Sequence, residues 1–223
     1  MSSDRPRFEF VMVPDSTDAR SFIELSSHAA DLVQAREALE LAVKSREEIG
    51  SPLESVRDAL IAAAAMAYCR TFFPSNVRRP VTDFITLPEA LRATHELVRA
   101  FRNRTIAHSQ SDLSVTYAVA VLDAQTLEVR DVGAPSIGST MPPERVRDFL
   151  ELVTTAQDLL DNAIEPIRDR LMTEMAAADR AALVRRGVRP MVREALAAEF
   201  DPSTTRPSYP TSHPVYLSPM VAD

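Results

Sequence analysis

The stretch Ala59-Leu60-Ile61-Ala62-Ala63-Ala64-Ala65-Met66-Ala67 decides the fold of this chain. Its residues favour a helix, and they are apolar on every side of the helix that they would form. A helix of this kind is expected to lie between other helices. Its small alanines also permit close helix approach, which suits either a core or the seam of a dimer.

The composition of the whole chain predicts a mainly α fold. With 223 residues, 45% of them hydrophobic, the chain can bury one good core. Ala, Leu, Arg and Glu are strong helix formers, whereas glycine, which is costly inside helices, occurs only four times. We expect an up-and-down bundle of long helices, with the helical domain over residues 17–200.

Four long helices follow from apolar residues at helical spacing. They are predicted over about 17–49, 52–73, 87–108 and 144–175. Gly50 is expected to close the first. Ser51 with Glu54, and Thr86 with Glu89, have the spacing of capping boxes at the second and third helix starts. Pro166 predicts a kink in the fourth helix.

The segments outside these helices have other patterns. Residues 113–132 alternate between apolar and polar about the turn at Asp123-Ala124-Gln125, which predicts a small β-hairpin between helices three and four. Residues 1–16 form an N-terminal arm, in which Phe8–Val13 is an edge strand or an ordered arm. One or two surface helices are expected over 179–200. The Pro-rich residues 201–223 are expected to be disordered or laid over a partner.

Several functional classes have no signature in this sequence. The single cysteine, Cys69, excludes an internal disulfide framework and a cysteine-based zinc site within one chain. The longest apolar run, Ala59–Cys69, has eleven residues, whereas a membrane-spanning helix needs about 20. Glycine-rich phosphate loops and dinucleotide fingerprints are missing. We therefore expect a cytoplasmic protein with no membrane contact, no metal and no cofactor.

The charge distribution limits the possible partners. A formal net charge of −7 argues against a protein that coats nucleic acid, because such binding depends on Lys and Arg neutralising phosphates. Between Met66 and Gln110, however, seven arginines stand against three acidic residues, a local balance of +4. This basic island is compatible with one phosphate-binding site or with chance clustering in a chain that favours arginine over lysine.

The basic island ends in the motif segment Phe101-Arg102-Asn103-Arg104-Thr105-Ile106-Ala107-His108-Ser109. The apolar stripe of helix three continues to His108, so this histidine is either a core or capping group or a functional one. At about 100° per residue, Arg102 and His108 lie roughly 120° apart on a straight helix. They converge only if the helix ends or distorts there, or if a second subunit contributes its own pair.

The motif segment resembles the signature of the HEPN superfamily, in which an arginine and a polar residue precede a histidine after a short spacer at the end of a helix. The resemblance extends to the arrangement of helices two to four and, in motif, to these nine residues. It implies an all-α bundle, often dimeric, of the bacterial abortive-infection or toxin–antitoxin type. Many such proteins are metal-independent RNases.

The resemblance also implies roles for individual residues. His108 would transfer the proton, Arg102 would hold the scissile phosphate, and Asn103 would orient one of them. Four further arginines would form a rim that attracts RNA, namely Arg78, Arg79, Arg99 and Arg104. The implied partners are RNA as a transient substrate, a second copy in a homodimer, and a cognate antitoxin.

Two other functional hypotheses stand beside the ribonuclease. In one, the chain is a non-catalytic helical dimer that acts as a regulatory or nucleotide- or protein-binding module, with Arg102 and His108 stabilising the interface. In the other, it is a structural helical protein without a nucleotide partner.

Overall fold

The computed structural model describes residues 8–48, 51–108 and 110–216, and this part of the chain is mainly helical, as predicted. The helices are α1 (Thr17–Glu47), α2 (Arg57–Phe72), α3 (Arg92–Phe101), α4 (Pro143–Ala177) and α5 (Arg180–Arg186). The strands are β1 (Ser114–Thr116), β2 (Val119–Leu122), β3 (Val129–Gly133), β4 (Ser136–Gly138), β5 (Met191–Ala195) and β6 (Ser212–Tyr216). The predicted helix end at Gly50 lies outside the described residues.

The long helix α1 packs against both α2 and α4. At its N-terminal end, Asp18 accepts hydrogen bonds from Arg170, near the end of α4, at 2.7 and 3.0 Å. At its C-terminal end, Val43 lies beside Val146 in the first turn of α4. Contacts at both ends show that α1 and α4 are antiparallel. α2 follows α1 after a short connection and also runs antiparallel to it.

The core lies where these three helices meet, and leucines and aromatic residues fill it. The largest fully buried side chains are Leu25, Leu32 and Leu39 of α1, Ile61 and Tyr68 of α2, and Phe149, Leu152 and Leu160 of α4. Alanines occupy the seam between α1 and α2, including Ala35 and Ala64, which are both fully buried. Small side chains let the two helix backbones approach closely, so that the seam is filled without large side chains.

The centre of α2 is not enclosed on every side, contrary to the prediction. Ile61, Ala64 and Ala65 are buried, whereas Ala59 and Ala63 are exposed and Met66 is 38% exposed. α1 and α3 pack against α2, and the face that carries these three exposed residues remains open to solvent. An apolar run therefore identified the helix, but it did not determine how many neighbours the helix has.

Neither predicted capping box forms. Short 3-10 turns at Glu54–Val56 and Glu89–Leu91 lead into α2 and α3, and the N-cap positions there make no side-chain hydrogen bond. The Ser51 hydroxyl instead accepts a bond from the backbone N–H of Leu53 at 3.3 Å. In each 3-10 turn the backbone N–H groups bond to carbonyls three residues earlier. These bonds satisfy N–H groups at the helix start, which is what a capping box would otherwise do.

A β-ribbon made of β1 to β4 follows α3 and extends further than the predicted residues 113–132. β2 pairs antiparallel with β3, and β1 pairs antiparallel with β4 outside them. The ribbon's side chains are largely exposed, so this insertion adds little to the core. Pro135 and the residues around Tyr117 separate the two strand pairs.

Both ends of the described chain lie against the helical body. Residues 8–14 form an ordered arm without a strand, and the backbone N–H of Met12 donates to the Val188 carbonyl at 2.8 Å. The hydroxyl of Tyr209 donates to the carbonyl of Val13. The arm and the Pro-rich segment therefore hold each other.

The C-terminal region differs from the predicted helices and tail. Of the one or two helices predicted over 179–200, α5 is present, a 3-10 turn occupies Ala197–Glu199, and β5 pairs in parallel with β6 of the Pro-rich segment. Pro214 lies within β6, where a missing N–H is tolerated because a two-stranded pair consists of edge strands. The pairing joins residues about twenty positions apart, which local patterns do not indicate. Residues 217–223 of the predicted tail lie outside the described residues.

One buried histidine makes the stability of the fold depend on pH. The His28 side chain is fully buried on α1, and its Nε2 is 3.0 Å from the Arg79 carbonyl, so Nε2 carries the hydrogen. Burial lowers the pKa of His28, and the Arg78 charge lowers it further, against Asp31 and Glu24, which raise it. The folded protein therefore holds His28 neutral.

We predict that the free energy of unfolding decreases as the pH falls below about 6.5, the usual histidine pKa. Below this pH the unfolded chain binds a proton at His28, whereas the folded chain does not. The contribution of His28 to the free energy of unfolding is therefore fully present above this pH and is lost below it. Each such histidine contributes at most about 1.4 kcal/mol per pH unit. Denaturant unfolding between pH 5.5 and 7.5 measures the slope, which should decrease in His28→Gln. An unchanged slope in that variant would contradict the assignment.

Candidate functional site

The motif segment is not a straight α-helix. α3 ends at Phe101 and continues as a π-helical turn over Arg102–Ala107, which stops at His108. In a π-turn, residue i+5 lies above residue i. The backbone of His108 therefore follows above Asn103, and not above Arg104 as in an α-helix. Two β-branched residues in succession, Thr105 and Ile106, weaken the α-helical continuation here.

Arg102 is held by its neighbour and by an aromatic ring. Its guanidinium donates to Asn103 Oδ1 at 2.9 Å and lies 5.5 Å from the centre of the Phe73 ring. The guanidinium of Arg99 approaches the same ring at 5.6 Å. Two cations thus converge at Phe73, just beyond the end of α2, where each gains a cation–π interaction.

Both converging arginines have unused hydrogen-bonding capacity. Among the described residues, the Nε atoms of Arg99 and Arg102 are buried without a hydrogen-bond partner. A buried N–H without an acceptor is costly. The Arg99 side chain is 39% exposed, so the terminal N–H groups of its guanidinium can bind phosphate oxygens through charge-assisted bonds.

Ion pairing divides the basic island into two groups. Five of its seven arginines pair with carboxylates, namely Arg70 and Arg78 with Asp31, Arg79 with Glu24, Arg92 with Glu89, and Arg99 with Glu96. In the described part of the chain, Arg102 and Arg104 have no such carboxylate partner. Both lie on the π-turn, so the positive charge of the island that is not already neutralised is concentrated there.

The structure excludes a core role for His108. Its side chain is exposed, at the residue that ends the π-turn. None of the hydrogen bonds among the described residues joins it to Arg102 or Asn103. The motif therefore supplies a partly buried, oriented arginine on the π-turn and an exposed imidazole at its end, without a hydrogen bond between them in the described chain. Ser109, the last residue of the motif segment, lies outside the described residues.

The predicted rim arginines occupy three different places. Arg99 joins Arg102 at Phe73, and Arg104 lines a separate cavity beside α4. Arg78, whose side chain is 8% exposed, bonds Asp31 and the Ser27 hydroxyl of α1.

The fourth rim arginine, Arg79, is engaged with α1 as well. It pairs with Glu24 at 2.9 Å, and its guanidinium lies over the Phe84 ring. Arg78 and Arg79 therefore fasten the loop after α2 to α1, and they do not join the motif arginines.

Two aromatic residues that sequence reasoning missed support the site. Phe73 carries the two arginines, and the hydroxyl of the fully buried Tyr68 is hydrogen-bonded to His95 Nδ1 of α3 at 2.8 Å. Burial lowers the pKa of His95, which favours the neutral imidazole. The only signal in the sequence was the position of aromatic residues at the end of the apolar run of α2.

Cys69 lies between the core and the arginines, but it is not reactive in this environment. It is fully buried, and burial raises the pKa of its thiol to about 11, although the nearby Arg102 and Arg99 charges lower it. At neutral pH the thiol stays protonated. It therefore serves as a small apolar side chain under the two arginines.

No protein-family model, curated protein or solved structure matches this chain. In the described ranges, no three side chains of His, Cys, Asp or Glu are grouped so that they could hold a metal ion. None of the helices described here is long and apolar enough to cross a membrane.

We predict that Arg78→Ala destabilises the protein much more than Arg79→Ala. Removing Arg78 leaves Asp31, itself 14% exposed, with Arg70 as its one remaining ion-pair partner among the described residues, and it also removes the bond to the Ser27 hydroxyl, at a combined cost of about 3 kcal/mol. The Arg79 side chain is 57% exposed, so its loss should cost about 1 kcal/mol or less. Thermal unfolding should show a decrease of roughly 6–12 °C for Arg78→Ala. Equal melting temperatures for the two variants would contradict the structural role of Arg78.

We also predict that Cys69 resists thiol reagents in the folded protein. The thiolate is the reactive form, and both burial and the raised pKa suppress it. The reaction with a chromogenic disulfide at pH 8 should be at least about 100-fold slower in buffer than in guanidinium chloride. Similar rates in the two solvents would show that the thiol is accessible.

Proposed function

We propose that this chain is a HEPN-like, metal-independent endoribonuclease that cleaves RNA phosphodiester bonds. One observation carries the proposal. Arg102 is held by Asn103 and Phe73, without a carboxylate partner in the described chain, on the π-turn that ends at the exposed His108. An oriented guanidinium with unused hydrogen-bond donors next to an exposed imidazole suits phosphate binding combined with proton transfer.

The reaction is an attack of the ribose 2′-oxygen on the adjacent phosphorus. The 2′-hydroxyl loses its proton, the new P–O bond forms, and the bond to the 5′-oxygen breaks, which leaves a 2′,3′-cyclic phosphate and a 5′-hydroxyl. His108 accepts the 2′ proton or donates one to the leaving oxygen, since an imidazole titrates near neutral pH. Arg102 stabilises the charge that builds up on the phosphorane oxygens.

The proposal includes a composite site, because no hydrogen bond joins Arg102 to His108 in the described chain. A second copy would place its own π-turn opposite the first, so that an arginine from one subunit and a histidine from the other meet at one phosphate. The HEPN-type up-and-down bundle, the homodimer and a cognate antitoxin that would restrain the toxin belong to this same proposal.

A non-catalytic helical dimer is the second candidate, and one observation favours it. Ala59, Ala63 and Met66 form an exposed apolar face on α2. A second copy packed on this face would bury it, whether or not the chain cleaves RNA. In that case Arg102 and His108 would bind a nucleotide or stabilise the interface without catalysing a reaction.

Cleavage of single-stranded RNA in the presence of EDTA tests the proposal. We expect 2′,3′-cyclic ends and a loss of activity of about 100-fold or more in both Arg102→Ala and His108→Ala, because each removes a group that acts in the transition state. The melting temperature should change by only a few degrees, since His108 is exposed and the partly buried Arg102 loses mainly its contacts with Phe73 and Asn103.

Matched controls are available for both substitutions. Arg92→Ala removes an exposed arginine at the start of α3, which pairs with Glu89 in the preceding 3-10 turn. His213→Ala removes an exposed histidine on β6. Both controls should keep full activity. If Arg102→Ala and His108→Ala lose dimerisation instead of cleavage, or if the pure wild-type protein leaves RNA intact, the non-catalytic dimer replaces the ribonuclease.

A further inference from the structure

A cavity of about 410 Å³ lies on the other side of the motif segment from Phe73. Three parts of the chain enclose it: the last turn of α3 with the π-turn, the base of the β-ribbon, and the first turn of α4. Its size is within the range of small-molecule sites, about 300–1,000 Å³. Residues i and i+2 face opposite sides of a helix, so Arg104 reaches this cavity while Arg102 reaches Phe73.

The walls of the cavity are largely apolar. Leu97, Ala100 and Phe101 come from α3, and Met141, which is 3% exposed, comes from the segment before α4. Leu97 and Ala100 are exposed to this space without any cover from the rest of the described chain. A flat apolar group that entered would remove these side chains from water, which is favourable by the hydrophobic effect.

The charge of the cavity is positive. Its lining contains two arginines, Arg104 of the π-turn and Arg145 of α4, and no acidic residue. Arg145 donates to Asp148 at 3.0 Å but is 57% exposed, so its guanidinium is also accessible to a ligand. Among the described residues Arg104 has no ion pair.

Hydroxyl groups complete the lining. Thr105, Ser111, Ser139 and Thr140 contribute them, from the π-turn and both ends of the β-ribbon. A hydroxyl both donates and accepts hydrogen bonds, so these groups can pair with the ring nitrogens and carbonyls at the edge of a heterocyclic base. The Ser111 hydroxyl already accepts a bond from the backbone N–H of Leu113 at 3.1 Å and can still donate one. The ligand that satisfies walls, hydroxyls and arginines together is flat, heterocyclic and anionic.

We propose that this cavity binds one unstacked nucleotide of single-stranded RNA, with the base against Leu97, Ala100 and Phe101 and the adjacent phosphates on Arg104 and Arg145. The inference rests on the proposed function, because it names how the RNA substrate is held beside the cleavage site. Recognition of single-stranded RNA commonly uses splayed bases in apolar pockets and arginine contacts. The π-turn then presents Arg102 to one phosphate and Arg104 to a neighbouring one.

Binding of a short, fluorescent 2′-O-methyl RNA tests the inference without any cleavage, because the 2′-oxygen is blocked. Arg104→Gln and Arg145→Gln should each raise the dissociation constant about tenfold, since each removes a charge-assisted hydrogen bond to phosphate. Ala100→Phe, which fills the cavity, should raise it by a similar factor. Arg147→Gln is the control, because Arg147 lies on α4 but lines a groove against α1, and it should bind as the wild type does.

Two probes decide the class of ligand. The wild type should bind the same RNA with one abasic position more weakly than it binds the intact RNA. Ala100→Phe should bind the abasic and the intact RNA equally well. UMP or AMP should displace the RNA, whereas octanoate should not. If octanoate competes as well as the nucleotides, or if the abasic RNA binds as well as the intact one, the cavity does not hold a base and the inference is overturned.

This inference and the proposed function can fail separately. Normal binding by Arg104→Gln, Arg145→Gln and Ala100→Phe, together with RNA cleavage that depends on His108, would overturn the nucleotide site and leave the ribonuclease. Cavity-dependent binding of RNA without any cleavage would support the site and overturn the ribonuclease. Each protein variant must keep the wild-type melting temperature within a few degrees for its binding result to count.

Discussion

The position of the candidate site depends on one buried side chain, Tyr68. Its hydroxyl is hydrogen-bonded to His95 of α3, and its ring packs edge-on against Phe149 of α4 at 5.4 Å. Burial raises the pKa of Tyr68, so the phenol remains a hydrogen-bond donor at any physiological pH. Val98 is the one buried residue of the ten in α3, so core packing alone fixes this short helix weakly. Tyr68 therefore helps to fix the position of α3, and with it the π-turn, against α2 and α4.

Periodicity predicted the long helices well because their burial is one-sided and repeats along the chain. The predicted start of α1 at Thr17 is the observed start, and its predicted end at Ile49 is two residues beyond Glu47. The pairing of β5 with β6 was not predictable, because it joins distant segments and its strands bury almost nothing. The open face of α2 was also missed, since alanines are compatible with both burial and exposure.

For the candidate site, the sequence indicated the residue types but not which arginines are ion-paired or how the backbone turns around them. Arg102, Asn103 and His108 are close in sequence, so their spacing was visible. Whether an arginine is already neutralised depends on carboxylates far along the chain, as with Arg78 and Asp31, which are 47 positions apart. The π-turn likewise changes which residue lies below His108, and a wheel drawn for an α-helix cannot show that change.

The acidic balance of the chain is compatible with an RNA site of this kind. At physiological ionic strength, charges separated by more than about 8 Å are largely screened, so a phosphate at the π-turn responds mainly to its near neighbours. On the Phe73 side it meets Arg102, which the described carboxylates leave unpaired, and Arg99, whose bond to Glu96 is long at 3.5 Å. A phosphate in the cavity on the other side meets Arg104, which is also unpaired among the described residues. The distant acidic residues weaken the overall attraction for RNA without weakening these contacts. A surface of this kind favours short-lived binding at one point over a long nucleic-acid track, which is compatible with the proposed ribonuclease.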